Sequence, residues 1–423
     1  MKVQQFKARR NKAIKILFFL FLVVCISSVQ AQNIDTIKGE IIDAQTDNPI
    51  PLARLQLNIS NISTVSNSEG VFTLKYPSEA TQNFVTITAL GYNKRVITIA
   101  DLQEDFTTIK LDVSPTVLAQ VDINTPNNAR NLVKKMLSLK DENYFNNEVI
   151  MTGFYRETIK RRNRNASLSE AVVSIYKEPY TSYKQDDITL IKARKQTNYA
   201  RLDTVALKLQ GGPYSALHTD IVKYSEYVFN ENNLDSYNFS FEKSTQINNN
   251  LVYVVAFKQK ENNTDALYYG KLYIDANSFA LTRSAFNLNV ENRVQATNLF
   301  IIKKPRKAVV YPTEAAYVVH YKNDNNKWQF AYSKITLAFK VKWKNRIFNT
   351  RYTLQSEMAI TNWKDNTAKS TLKNRDKLKT NAILQDEASG FSEPDFWGKY
   401  NIIEPDKSIE YAINKINKEQ KKE

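Results

Sequence analysis

From position 149 to 360 the chain reads as one strand-like segment after another, many of them eight to twelve residues long. Strands usually run five or six residues, so this stretch predicts an extended sheet rather than a patchwork of short elements. The segments are 149–159, 168–176, 197–209, 237–243, 251–258, 267–275, 280–288, 315–321, 328–342 and 348–360. One pair shows the connection type: 271–275 and 280–286 flank a short polar stretch, which makes a hairpin. Long antiparallel strands joined in this way twist and curl, predicting a barrel or half-barrel. Nine glycines and eleven prolines against 23 tyrosines and 21 phenylalanines suit long regular strands with few tight turns. Before the series, Ala129, Leu132, Val133, Met136 and Leu137 repeat at helical spacing. They predict an amphipathic helix ending near Asn143 that covers one face or mouth of the sheet.

Residues 33–123 have a different rhythm. Alternating segments at 36–42, 52–57, 71–74, 84–89, 96–99 and 109–111 are separated by turn clusters at 43–49 and 66–70. Short strands at this spacing, with no helix between them, predict a two-sheet sandwich. Gly70 stands where a turn needs positive φ before the next strand. Four pieces in order, Gly39-x-Ile41-x-Asp43, Pro51-Leu52-Ala53, Ser66-x-x-Glu69-Gly70-x-Phe72 and Ala89-x-Gly91-Tyr92, resemble the carboxypeptidase-regulatory-like (transthyretin-like) domain. The resemblance implies a non-catalytic immunoglobulin/transthyretin-like module, widespread in Bacteroidetes envelope proteins and found at the N-terminus of many outer-membrane transporters.

The larger region carries a second resemblance. The hairpin from Gly270 to Leu281 is similar to one in the lipoprotein-localisation carrier superfamily and in related Bacteroidetes envelope families. Tyr155-Arg156-Glu157, the segment from Glu170 to Lys177, and the segment from Phe396 to Pro405 resemble the remainder of those families. The carriers hold acyl chains in the apolar hollow of an incomplete barrel closed by helices. The expected fold is therefore mainly β: a sandwich at 33–123, a β-rich half-barrel at 127–405 with one or a few covering helices, and a charged C-terminal helix at 406–423.

The N-terminus predicts export. Lys2, Lys7, Arg9, Arg10, Lys12 and Lys15 precede an unbroken apolar block from Ile16 to Ile26. Val29 and Ala31 then place small or modest residues before a cut between Ala31 and Gln32, so 1–31 reads as a signal peptide. As a helix the apolar block would rise only about 16 Å, against roughly 30 Å of hydrocarbon. Cys25 offers lipidation as an alternative, although Val24 breaks the usual small residue before a lipidated cysteine. Cutting at Ala31 removes the only cysteine, and with it any thiol chemistry. It also removes six of the 59 bases, leaving 53 against 43 acids, a surplus of ten. In the cytoplasm that surplus would invite nucleic acid; export removes nucleic acid as a partner. A membrane-spanning barrel would end on a closing strand with strict alternation. Here the end is a charged helix, and Lys340, Lys342 and Lys344 alternate with Phe339, Val341 and Trp343 in one of several strands rich in lysine. The chain is expected to be peripheral to the membrane, in the periplasm or on the periplasmic face of the outer membrane.

Catalytic machinery is not evident. Two histidines, His218 and His320, lie about a hundred positions apart, which disfavours a zinc or other transition-metal site, and nothing calls for a cofactor. The nearest thing to a site is the loop Gly211, Gly212, Pro213, Tyr214 with His218, a weak candidate for ligand contact. Ser215, His218 and Asp220 sit too close in sequence to be assembled as known triads are. Asp186 and Asp187 are expected to face solvent. Glu157 and Glu170 lie within strands and would need partners such as Arg156 or Arg201 if they face inward. Three functions follow. An apolar cavity would suit handling of an amphipathic envelope component, lipid or lipoprotein. A filled barrel with an exposed apolar patch would suit an adaptor docking an outer-membrane protein. Two facing carboxylates in a cleft would suit a glycan hydrolase.

Overall fold

The computed structural model describes residues 33–411, except 59, 81, 103–104, 115–127, 163, 198–210, 229–231, 248–249, 262, 301–307, 345–348 and 391–395. The expected signal peptide with Ala31, Gln32 and Cys25, the segment 198–209 with Arg201, and the part of the expected C-terminal helix beyond 411 lie outside the described residues.

The first module is a sandwich of two small sheets. Strands β1 (Ile34–Asp43), β2 (Arg54–Leu57), β3 (Ser63–Val65), β4 (Val71–Pro77), β5 (Phe84–Thr88), β6 (Arg95–Thr98) and β7 (Thr107–Leu111) form the orders β4-β1-β7 and β3-β2-β5-β6. Period-two alternation fills the space between them with Ile37, Ile41, Leu55, Leu57, Phe72, Leu74, Val85, Ile87, Ile109 and Leu111. Gly70 has φ +77° at the turn before β4, as its place in the sequence requires. Gly39 serves a different need. The parallel pairing of β1 with β7 brings the Thr107 carbonyl oxygen to 2.1 Å from where a Cβ would stand.

The second module is one large sheet. Helix α1 (Ala129–Ser138) opens it, capped by the Asn128 side chain accepting from the Asn131 N–H, and buries Ala129, Leu132, Val133 and Met136. Strands β8 (Val149–Arg161), β9 (Arg164–Lys177), β10 (Asp187–Thr197), β11 (Tyr237–Ile247), β12 (Asn250–Gln259), β13 (Tyr268–Asp275), β14 (Leu281–Leu288), β15 (Ala308–Asp324), β16 (Lys327–Trp343), β17 (Thr350–Asp365) and β18 (Ser389–Gly390) follow. Their order is β11-β12-β13-β14-β15-β16-β17-β8-β9-β10-β18, so β17 returns to pair with β8 and the earliest strand sits inside the sheet. The sheet is open, with β11 at one edge and the short β18 at the other.

Its two faces have opposite characters. On one, Met151, Tyr155, Val173, Val255, Leu272, Phe286, Val319 and Met358 pack beneath α1 and a second helix, α2 (Pro213–Leu217). Helix α3 (Arg293–Phe300) extends that cover with Ala296 and Phe300. On the apolar side expected to form a hollow, the described residues include helices of the chain packed against the sheet.

The other face carries the sandwich. Asn61 Nδ2 donates to the Trp363 carbonyl (3.0 Å) and Ser63 Oγ to that of Ile360 (3.2 Å). The segment 396–409 runs between the modules as a strap. Trp397 meets Phe154 edge-on at 5.4 Å, and Thr64 Oγ1 donates to the Ile402 carbonyl (3.1 Å). Asn401 grips the backbone of Lys75 at both ends, accepting from its N–H (2.7 Å) and donating to its carbonyl (2.9 Å). An Asn401→Ala variant removes two hydrogen bonds at a mostly buried position. It is expected to lose about 1–2 kcal/mol in urea denaturation; a midpoint equal to that of the parent would show that the strap is not held there.

Candidate functional site

The loop singled out by its glycines is a plug rather than an open site. Gly211 and Gly212 have φ +99° and +45°, and Gly211 N–H donates to the Ala382 carbonyl (3.0 Å). Tyr214 is buried with its hydroxyl accepting from the Ile188 N–H at 3.0 Å. The His218 ring stacks on Tyr227 at 5.3 Å and meets Tyr224 edge-on at 4.9 Å; burial pushes its pKa below the usual value. Ser215 Oγ donates to the Gly212 carbonyl (2.7 Å). Asp220 accepts from the hydroxyls of Tyr180 (2.9 Å) and Tyr321 (3.0 Å) and pairs with Lys177 at 3.2 Å. Ser215, His218 and Asp220 therefore each serve a different neighbour.

One expectation about carboxylates is met, since buried Glu170 takes Arg156 as its partner at 2.7 Å, and one is corrected. Asp186 does not face solvent: it is buried, paired with Lys177 Nζ at 2.9 Å and accepting from Tyr224 OH at 2.8 Å. The lysine at the end of β9 supplies the charge that makes this burial tolerable. Its neighbour Asp187 is half-buried and pairs with Lys377 at 2.7 Å. Glu157 and Glu170 are both buried but do not face each other. Glu170 lies opposite Arg156 in the β8–β9 register, so alternation sends Glu157 to the apolar face and Glu170 to the polar one.

The polar face holds the candidate site. A cavity of ≈ 430 Å³ lies between β2, β3 and β5 of the sandwich and the end of the sheet formed by β14–β17. Arg54 and Lys94 reach it from the sandwich, and Arg283, His320 and Lys322 from the sheet. Leu52, Val65, Leu90, Ile247, Trp328 and Ile360 form its apolar walls. Among the described residues lining it there is no aspartate or glutamate. Arg283, His320 and Tyr332 stand side by side across three strands, each opposite the next in register.

Electrostatics sets this cavity apart. Burial draws the Arg54 guanidinium down to about 10 despite the opposing charge of Asp324. Burial and the nearby Arg54 hold Lys322 well below its ordinary value, and burial with Arg283 does the same to His320. Four buried donor or acceptor atoms here have no hydrogen-bond partner among the described residues: Arg54 Nε, Arg283 Nε, His320 Nε2 and Trp328 Nε1. Such groups cost the fold free energy unless something satisfies them. A second chamber of ≈ 410 Å³ shares Leu52 and Tyr332 with the first, but mixes Arg156 and Lys334 with Glu357, Glu404 and Asp406.

Sequence reasoning missed this cavity because its basic residues are spread from position 54 to 322. The available signal was local: Arg283 and His320 interrupt strands that are otherwise mostly apolar or small.

A model of the CarboxypepD_reg-like domain matches residues 37–123, in agreement with the resemblance carried by Gly39, Gly70 and Gly91, and speaks for the sandwich alone. No curated protein matches the chain. Among solved structures, a DUF1329 family protein from Desulfovibrio piger is 9% identical with a TM-score of 0.25, over 58% of this chain and 96% of that one. A structure describing lipid–protein interactions in lipovitellin is 7% identical with a TM-score of 0.28, over 59% of this chain and 28% of that one.

Proposed function

We propose that this chain is a non-catalytic exported protein of the cell envelope that binds an amphipathic component, lipid or lipoprotein, in the cleft between its sandwich and its sheet. The observation that carries the reading is the lining of that cleft: apolar walls and several basic side chains, contributed by both modules. Ligand sites of about 300–1,000 Å³ with a few polar groups in an apolar wall are the usual form for small molecules. On the opposite face the described residues form a buried apolar core around Tyr155, Val173 and Phe286, which directs attention to the cleft. The protein would act peripherally, on the periplasmic side of the outer membrane.

Native mass spectrometry of the mature protein purified from its own envelope, followed by lipid extraction, tests this. An acyl species bound at near one-to-one stoichiometry is the expected result. A clean ligand-free mass would move the reading to the second function, an adaptor docking an outer-membrane protein. That alternative has its own support in the sandwich, where Phe84 and Val96 lie exposed on the same face of adjacent strands.

A further inference from the structure

We infer that Arg54, Arg283 and His320 form a subsite for a phosphoryl group, the anionic head of the ligand that the cleft accepts. The inference rests on the cleft being the binding site and adds the chemistry of what it takes.

Three observations combine. Among the described residues lining the cavity, Arg54, Arg283 and Lys322 stand with His320 and no carboxylate, Asp324 acting on Arg54 and Lys322 from outside the lining. Two buried cations elsewhere have close carboxylate partners, Arg156 with Glu170 at 2.7 Å and Lys177 with Asp186 at 2.9 Å. The cavity departs from that pattern. Three of its side-chain nitrogens are also unsatisfied among the described residues: Arg54 Nε, Arg283 Nε and His320 Nε2 are buried with no partner, although Arg54 Nη2 does donate to Ser63 Oγ at 3.2 Å. Finally, these groups come from three strands in two modules, so a ligand held by all of them would tie the sandwich to the sheet.

An anion with several acceptor oxygens answers both deficits, supplying negative charge and hydrogen-bond acceptors together. A phosphoryl group offers more terminal oxygens than a carboxylate and suits guanidinium groups, which bind it through paired N–H donors. The apolar walls at Leu52, Leu90 and Ile247 would then receive the carbon skeleton beside it.

Isothermal titration of the mature protein distinguishes the possible outcomes with three probes: inorganic phosphate, dihexanoyl phosphatidic acid, and octyl glucoside below its micellar concentration. Phosphatidic acid is expected to bind near one-to-one and to weaken at least tenfold in Arg283→Gln and in His320→Asn, while octyl glucoside binding stays unchanged in both. Melting curves establish that each variant is folded; Arg54→Gln, on the other module, serves if one is not. If phosphatidic acid binds no tighter than octyl glucoside, or the substitutions leave it unaffected, the phosphoryl subsite is overturned while the amphiphile cleft stands. If inorganic phosphate binds as tightly as phosphatidic acid, the subsite stands and its ligand is a free phosphate rather than a lipid. If no probe binds, both the cleft and the subsite fall.

Discussion

Replacing Arg156 with alanine is expected to destabilise the protein by about 3–5 kcal/mol, the cost of leaving a buried charge without its main partner. Arg156 is 2% exposed and Glu170 is fully buried. The guanidinium donates to Glu170 from Nε at 2.7 Å and to Glu357 from Nη1 at 3.3 Å. It also donates to the Ile403 carbonyl at 2.7 Å and the Glu404 carbonyl at 3.3 Å, which fastens the strap to β8. Arg194 pairs with the other Glu170 oxygen at 2.7 Å. Burial by itself would raise the Glu170 carboxyl, but Arg156 and Arg194 together hold it below the usual range. That stabilisation is present above the ordinary carboxylate pKa and is lost as pH falls through the lowered one. Removing Arg156 alone leaves Glu170 short of one cation and the strap short of a donor. The double variant Arg156→Met, Glu170→Leu removes that pair at once and should lose less than the sum of the single variants Arg156→Met and Glu170→Leu, although Arg194 then gives up its Glu170 partner as well. Urea denaturation of the parent, both single variants and the double variant measures this. A loss under about 1 kcal/mol in Arg156→Ala would mean that the network is not what holds the strap.

How far the sequence led can be judged residue by residue. The helix spacing at Ala129, Leu132, Val133 and Met136 survived because it depends only on local geometry. The hairpin 271–286 did too: Lys271 pairs with Ala285 and Leu272 with Ser284. Strand ends were harder to place. The sequence suggested a strand from 315 to 321, whereas β15 runs Ala308–Asp324 and takes Pro312 into the ladder at a bulge between Pro312 and Glu314. A proline that looks like a break becomes tolerable where the ladder is already irregular. Long-range pairing was not legible at all. Nothing near Glu357 announces that it will lie opposite Arg156 on a strand two hundred positions earlier. Alternation tells which residues share a face, not what stands across from that face. The cleft depends on such cross-chain placement, so its basic residues carry no common signal in the sequence, whereas the glycine loop carries a local one.

The variant Glu157→Gln should be more stable than the parent by about 3 kcal/mol at pH 8 and nearly equal to it at pH 4.5. Glu157 is 3% exposed on the apolar side of β8. Its polar company is sparse: Tyr155 OH donates to Oε2 at 3.1 Å, and no lysine or arginine pairs with it among the described residues. Its cross-strand neighbours are Ser169, whose buried hydroxyl has no hydrogen-bond partner among the described residues, and Ser356, whose hydroxyl lies beside the Tyr155 phenol. Burial pushes the carboxyl from its ordinary 4.5 to about 7, with only the Tyr155 hydrogen bond opposing. Because this is a raised acid, the unfolded chain ionises first as pH rises. The folded state therefore loses stability between 4.5 and 7, and the full penalty applies above the folded value. A shift of this size corresponds to about 3 kcal/mol at 1.36 kcal/mol per pKa unit. Glutamine is neutral throughout and brings an amide N–H that either serine hydroxyl can accept. Urea denaturation of parent and variant at pH 4.5, 6 and 8 should show the gap opening with pH. A difference that stays constant across that range would mean that Glu157 does not ionise with the raised pKa its burial implies.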